Sequence, residues 1–255
     1  MFVNGRGLGQ LTVRQDSLVA ALSPTQVSAL LRALLHKSNI EWHAGKNRWR
    51  LSDKGAAAVL LKMDEFQGRL GTKGALVRKG SMDEGRVLPA VPAPVVVAAP
   101  LSKPKASDAE LIKRHSAALR KALYASVKGE DACSLFAESE GQINVSRLTE
   151  NRLLVSMECW RAAYNSGSVY WVISDKPPFK PVVVTTSGTE DSGGTIRASH
   201  KGRGIGDCWS SDEWTWDGRR FVPTESSTTG MCKLVAAGGA WSLPTLVTNV
   251  RSSLR

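Results

Sequence analysis

Residues 201–221 read KGRGIGDCWSSDEWTWDGRRF, and how this stretch is parsed decides the architecture. Its glycine core, GRGIG from Gly202 to Gly206, has a near copy, GRGLG, from Gly5 to Gly9. A dinucleotide-binding loop needs G-x-G-x-x-G between a strand and a helix. After the first two glycines of each copy, the third would fall at Gln10 and at Asp207, so both fail. Neither copy supplies the Gly-Lys-Ser/Thr of a P-loop. Asp207-Cys208-Trp209-Ser210-Ser211 then favours strand over helix, and Trp214 and Trp216 alternate with polar residues up to Asp217-Gly218. An Asp-Gly pair between alternating segments predicts a hairpin closed by a two-residue type I′ turn, with φ > 0 at both positions. Glycine in strand context marks a bulge or a close backbone approach. The stretch therefore reads as a glycine-bent strand leading into an antiparallel hairpin.

Working outward, strand-like segments recur at Asn151–Cys159, Gly167–Ser174, Pro181–Thr186, Thr195–Lys201, Glu213–Trp216, Arg219–Thr224 and Trp241–Val250, separated by turns rich in Gly, Ser and Asp. Ser107-x-x-Glu110 has the form of a capping box. It opens a helix to about Ala125, with Ile112, Leu119, Ala122 and Leu123 on one face. Upstream, RVLPAVPAPVVVAAPLSKPKA (86–106) holds five of the eleven prolines, which predicts an extended tether. Before it, Ser23-Pro24-Thr25-Gln26 reads as a capping box leading a helix whose stripe is Val27, Leu30, Leu31, Leu34 and Leu35. A hairpin follows, with Ile40 and Trp42 alternating before Gly45 and Trp49 and Leu51 after it. A second helix from about Asp53 to Gln67 and a strand at Ala75–Val77 complete this module. The predicted fold class is α+β. It comprises a small basic module over 1–80, a Pro/Ala/Val-rich linker over 81–106, and a helix-led, mainly antiparallel β module over 107–255.

The net charge of +11 is concentrated in the first module, with 13 Lys/Arg against 5 Asp/Glu in residues 1–80 and 18 against 16 in residues 107–255. A basic field attracts nucleic acid, anionic headgroups or acidic proteins. Trp42 and Trp49 beside Lys46, Arg48 and Arg50 are the one nucleic-acid signal, since single-stranded binders pair aromatic faces with cations. Alternation sets the tryptophans opposite the arginines, which predicts indoles in the core and guanidinium groups in water, so nucleic acid is disfavoured. No stretch has the ~18 uncharged apolar residues of a membrane span. Residues 1–20 lack the apolar run of a signal peptide.

The four cysteines, Cys133, Cys159, Cys208 and Cys232, contain no C-x-x-C pair, which argues against zinc. They fit two disulfides in an oxidising compartment, or four buried thiols. Of three connectivities, Cys133–Cys159 with Cys208–Cys232 is preferred, because each bond closes a local loop between strand-like segments. For catalysis, no G-x-S-x-G elbow accompanies the four histidines, and the spacing points to no activating base for Cys133 or Cys159. Asp207 and Glu213, near Trp209 and Trp214, are the best carboxylate pair for glycoside hydrolysis. Solvated turn chemistry is the plainer reading of those acids. No cofactor, metal or catalytic residue is assigned. The candidate binding residues are Arg161, Tyr164, Asn165, Arg203, Asp207 and Trp209, in loops around the expected disulfides.

Five stretches in order, MDEFQGR (63–69), ALVRKG (75–80), CWRAAYN (159–165), KGRGIGDC (201–208) and EWTWDGRRF (213–221), together with the proline-rich tether, resemble the bacterial family known as domain of unknown function number 1176. The resemblance implies an exported, periplasmic or secreted, disulfide-bonded protein with no established activity. Members look like longer precursors with a signal peptide and a further cysteine pair, and this sequence starts inside that plan. The expectation is a non-enzymatic envelope module whose partner is a protein or envelope component. The alternatives are a glycan hydrolase using Asp207 and Glu213 and, more weakly, a nucleic-acid binder built on residues 1–80.

Overall fold

The computed structural model describes residues 1–13, 20–127, 133–137 and 141–253. The chain is α+β and divides into two compact units, Met1–Val91 and Pro92–Arg255.

In the first unit, strands β1 (Phe2–Val3) and β2 (Arg6–Gly7) form a hairpin whose Asn4 and Gly5 lie at φ 51° and 81°. Positive φ at both loop residues is what a type I′ turn requires. The first glycine of GRGLG is thus a hairpin turn. Helix α1 (Pro24–Leu34) starts on the expected capping box, with the Ser23 side chain accepting from Gln26 N and Gln26 Oε1 accepting from Ser23 N. Val27 is exposed, and the inward stripe is Leu30, Ala33 and Leu34. These pack on Met1, Ile40 and Trp42 of a sheet ordered β2-β1-β3-β4, with β3 (Ile40–Ala44) and β4 (Asn47–Leu51) forming the expected hairpin. Trp49 departs from expectation: it is 54% exposed although it shares a face with its cross-strand partner Trp42, because it lies on the edge strand β4, outside the apolar cluster that takes in Trp42 and Leu51. Helix α2 (Ala56–Phe66) ends at Gly68 in the left-handed region. The strand expected at Ala75–Val77 is absent. The buried carboxylate of Asp64 accepts from the backbone N–H groups of Leu76 and Val77, so a side chain satisfies donors that a neighbouring strand would have taken.

The second unit begins at Pro92, inside the proline-rich stretch. From there the chain is extended and is paired along the second unit as a strap. Strand β5 (Val95–Ala98) pairs in parallel with β15 (Asn249–Ser252), and Ala99 N and Ser102 N donate to Trp216 O and Leu148 O. Helices α3 (Ser107–Arg114) and α4 (Ser116–Ser126) replace the single expected helix, broken at His115 (φ −114°, ψ 18°). The capping box does not form at Ser107. Ala106 occupies the cap, and the Asp108 carboxylate instead accepts from Lys105 N and from Arg147.

Two antiparallel sheets follow. The first is ordered β6-β7-β8-β9, from β6 (Asn144–Arg147), β7 (Arg152–Arg161), β8 (Ser166–Ser174) and β9 (Val182–Gly188). The second is ordered β10-β11-β12-β13-β14, from β10 (Glu190–Ser192), β11 (Thr195–Lys201), β12 (Trp209–Trp216), β13 (Phe221–Thr228) and β14 (Leu243–Val247). The segment expected as one strand at Trp241–Val250 is split between β14 and β15, which belong to different sheets. The hairpin after Trp216 exists, but its loop has four residues, Asp217–Arg220, and only Gly218 has φ > 0. Asp217 Oδ1 accepts from the N–H groups of Arg219 and Arg220, so the aspartate holds the turn with its side chain and stays out of the left-handed region.

The first sheet is buried on both faces. Leu153, Val155, Met157 and Cys159 of β7, with Val169, Trp171 and Ile173 of β8, face Leu119 and Leu123 of α4. The intervening Leu154, Tyr170 and Val172 face Ile196, Trp216 and Phe221 of the second sheet. Period-two alternation with apolar residues at both phases yields the near-continuous runs LLVSM and VYWVI. The result is a helix layer, a central sheet and an outer sheet. Trp171 Nε1 donates to Ser126 Oγ at 2.9 Å, which satisfies the largest side chain of the inner core.

One buried ion cluster ties α3 to this stack. The Arg147 guanidinium donates to Asp108, to Asp175 Oδ2 at 3.3 Å, and to the carbonyls of Thr149 and Glu150 at 3.1 and 2.8 Å. Its hydrogen bonds to Arg147 hold the Asp108 carboxyl below its ordinary range, against the upward push of burial. Removing one partner of a buried pair strands the other charge, at a cost of about 3–5 kcal/mol. Arg147→Met should lower unfolding stability by about 3 kcal/mol in urea denaturation at neutral pH. Because the folded pKa of Asp108 is depressed, its contribution is fully present above the unfolded carboxylate value of about 3.9. It is lost as pH falls through the lower folded value, since the unfolded chain then binds the extra proton. Asp108→Asn should therefore flatten the acid limb of the stability curve. An unchanged urea midpoint in Arg147→Met would contradict this account.

Candidate interaction surface

The two disulfides are Cys133–Cys159, inside the inner core, and Cys208–Cys232, which staples the loop before β12 to the loop after β13. The second bond organises the end of the outer sheet where most of the candidate residues gather.

Asn165 closes the β7–β8 turn and reaches across to the outer sheet. Its Oδ1 accepts from Lys201 N and its Nδ2 donates to Lys201 O, both at 2.9 Å, so one amide side chain imitates a strand partner for the end of β11. His200 Nε2 lies 3.2 Å from Ser166 O at the same seam. Beyond β11 the chain passes over the disulfide at Gly202, where a Cβ would stand 2.7 Å from Cys208 Sγ and 3.1 Å from Cys232 Sγ. Only glycine fits this approach without displacing the sulfurs. Gly206, at φ 71°, closes a turn by donating to Arg203 O. Its own carbonyl accepts from Trp209 Nε1 and Gly238 N.

Arg203 and Asp207 form a two-pronged pair, Nε to Oδ1 at 2.7 Å and Nη2 to Oδ2 at 2.6 Å. Leu234 N donates to the same Oδ2, which holds Leu234 at φ 57°. The Arg203 hydrogen bonds keep the buried Asp207 carboxyl far below the usual carboxylate range, opposed by burial and reinforced by the Leu234 amide. Asp207 is therefore an ionised strut with its acceptors occupied. Trp209 N donates to Thr229 Oγ1 and Trp209 O accepts from Thr229 N, and Lys201 Nζ sits 5.5 Å from the Trp209 ring centroid.

Tyr164, Asn165, Arg203, Asp207 and Trp209 thus come together, with Tyr164 Cδ1 3.4 Å from where a Gly204 Cβ would be. Arg161 does not join them, because both its Nε and its Nη2 donate to Glu158 at 2.8 Å. The members that converge are mostly occupied with each other. What this bracing presents outward is apolar. Ile205, Met231, Leu234, Val235 and Trp241 are 65–75% exposed on the two laced loops. The sequence analysis assigns no element to Met231–Ala240, since MCKLVAAGGA has neither helical nor alternating periodicity. The signal was there as an apolar run interrupted by a Gly-Gly pair.

The chemistry proposed for Asp207 and Glu213 fares poorly on geometry. A glycosidase acid must hold a proton near neutral pH, whereas Arg203 keeps Asp207 ionised. Glu213 lies mid-strand on β12, bonded to Arg197 Nε at 3.0 Å, and Trp214 and Trp216 turn into the core. Among the described residues, Asp207, Cys208 and Cys232 stand close enough to ligate a metal, but the two sulfurs are bonded to each other. In the first unit, Trp42 and Trp49 are cross-strand partners lining an apolar cleft of about 760 Å³. Its wall includes Val13 and Ala20, which flank residues 14–19, outside the described set.

Gly202→Ala should destabilise the chain by about 1–3 kcal/mol, as overpacking does. Gly204→Ala, which meets only ordinary van der Waals contact, should be near neutral. Thermal melts of the two oxidised variants decide the point, and equal midpoints would contradict the close-approach role of Gly202.

The chain is 26% identical over 238 residues to the "Uncharacterized protein YpfG" of Escherichia coli (strain K12), an alignment covering 86% of this chain and 65% of that protein. It therefore spans about two thirds of the length of that relative. No solved structure matches the chain. The family described as "Protein of unknown function (DUF1176)" matches residues 1–248. Nearly the whole chain is covered by that match, and it belongs to this family.

Proposed function

We propose that the chain is a non-enzymatic binding module of the bacterial cell envelope, acting through the two loops joined by Cys208–Cys232. The observation that carries this reading is the division of labour at that end. The polar side chains are spent on internal bracing, while five large apolar side chains are held out to solvent. Clustered exposure of large apolar side chains on a rigid frame is the mark of an interaction surface. Two disulfides fit an oxidising compartment such as the periplasm, where such bonds persist. No helix among the described residues is long and apolar enough to cross a membrane, so association would be peripheral unless strands or other segments contribute.

The test is co-sedimentation of the purified, oxidised chain with washed Gram-negative envelopes. The variant Ile205→Ser/Met231→Ser/Trp241→Ser should lose most of its pelleted fraction. Its stability should stay within about 0.5 kcal/mol of wild type per substitution, because these side chains are exposed. Equal sedimentation of wild type and variant would contradict the assignment of the surface. Peptidoglycan turnover that disappears in Glu213→Gln would contradict the non-enzymatic reading.

A further inference from the structure

Resting on that reading, we infer that the partner of the laced loops is an anionic phospholipid surface, into whose headgroup layer Ile205, Met231, Leu234, Val235 and Trp241 insert. Three observations lead there. The first is shape. The five side chains stand exposed on two loops and line none of the clefts, neither the 760 Å³ one nor the smaller ones. A deformable layer accepts separate apolar tips without needing a matching groove.

The second observation is charge. Across residues 200–209 and 229–243 the sole acid is Asp207, which is buried and neutralised by Arg203. Lys233 is exposed and has no ion pair among the described residues, and Lys201 sits beside Trp209. An apolar centre flanked by lysines complements anionic headgroups. It is a poor self-partner, because a symmetric contact between two copies would set Lys233 against its own field.

The third is the type and rigidity of the inserting groups. Tryptophan, with an apolar ring and one N–H donor, favours the zone between hydrocarbon and water. The loop backbone is already tied, by Leu234 N to Asp207, Gly238 N to Gly206 O and Gly206 N to Arg203 O. Backbone groups with partners of their own can approach an apolar layer at lower cost than free ones. The disulfide keeps both loops in register, so little ordering is left to be done on binding.

The experiment is sedimentation of the oxidised full chain with sucrose-loaded vesicles. One set is pure phosphatidylcholine and the other is phosphatidylcholine and phosphatidylglycerol in equal parts. Wild type should partition into the second set, and added salt should weaken it. Lys233→Gln should cut partition about fivefold. Met231→Ser/Trp241→Ser should cut it about tenfold or more, as expected for removing two inserted side chains. The basic first unit could also attract anionic vesicles, and the apolar variant separates the two sources: partition unchanged in Met231→Ser/Trp241→Ser overturns the proposal. Absence of wild-type partition at low salt overturns it too. If envelope sedimentation still depends on the loops in that case, the surface stands and its partner is a protein. Concentration-dependent dimerisation lost in Trp241→Ser would assign the surface to a second copy and also overturn the lipid proposal.

Discussion

The central sheet of the second unit, buried on both faces, is the constraint from which the rest follows. Strands β7 and β8 carry large apolar side chains at both phases of the pleat, so neither face can be left to water. One face takes α4 and the other takes the outer sheet, and the three-layer order is set. Burial also fixes register, since a one-residue slip would exchange the two sets of side chains. With β8 held, the turn before it is held, and Asn165 there transmits the position to the end of β11. The Cys208–Cys232 loops hang from that point.

The chemistry of this end is that of a scaffold. Arg203, Asp207, Asn165 and Trp209 are residue types that can bind or catalyse, yet each is engaged by a named partner in the same small volume. A carboxylate held ionised by a guanidinium is a poor proton donor, and a satisfied amide has little to offer a ligand. Apolar area is what these loops have left to give. On the proposed reading, recognition at this surface is driven by removal of that area from water, with charge setting the approach.

Much of the fold was legible because its elements announce themselves locally. The capping box at Ser23, the alternation around Trp42 and the strands at β7, β8 and β11 are encoded within a few residues. Three of the misreadings share a physical cause: a carboxylate took hydrogen bonds that the local pattern did not foretell. Asp64 satisfies the amides at Leu76 and Val77, so no strand forms there. Asp217 holds its turn through Oδ1 without entering the left-handed region. Asp108 answers to Arg147, thirty-nine residues away, and the Ser107 cap is not made. Such long-range partners leave no local pattern. At the candidate surface, the struts were visible as polar residues near cysteines, whereas the exposed apolar tips were invisible as a group. Their meeting depends on a disulfide and on hydrogen bonds such as Leu234 to Asp207.

The central proposal is that recognition takes place on the laced loops. Hydrogen exchange with the protein bound to isolated Gram-negative envelopes, compared with the protein alone, tests this most directly. Added protection confined to residues 203–207 and 231–241 is the predicted result. Protection centred on Trp42 to Trp49, or along Glu213 and its neighbours on β12, would contradict it.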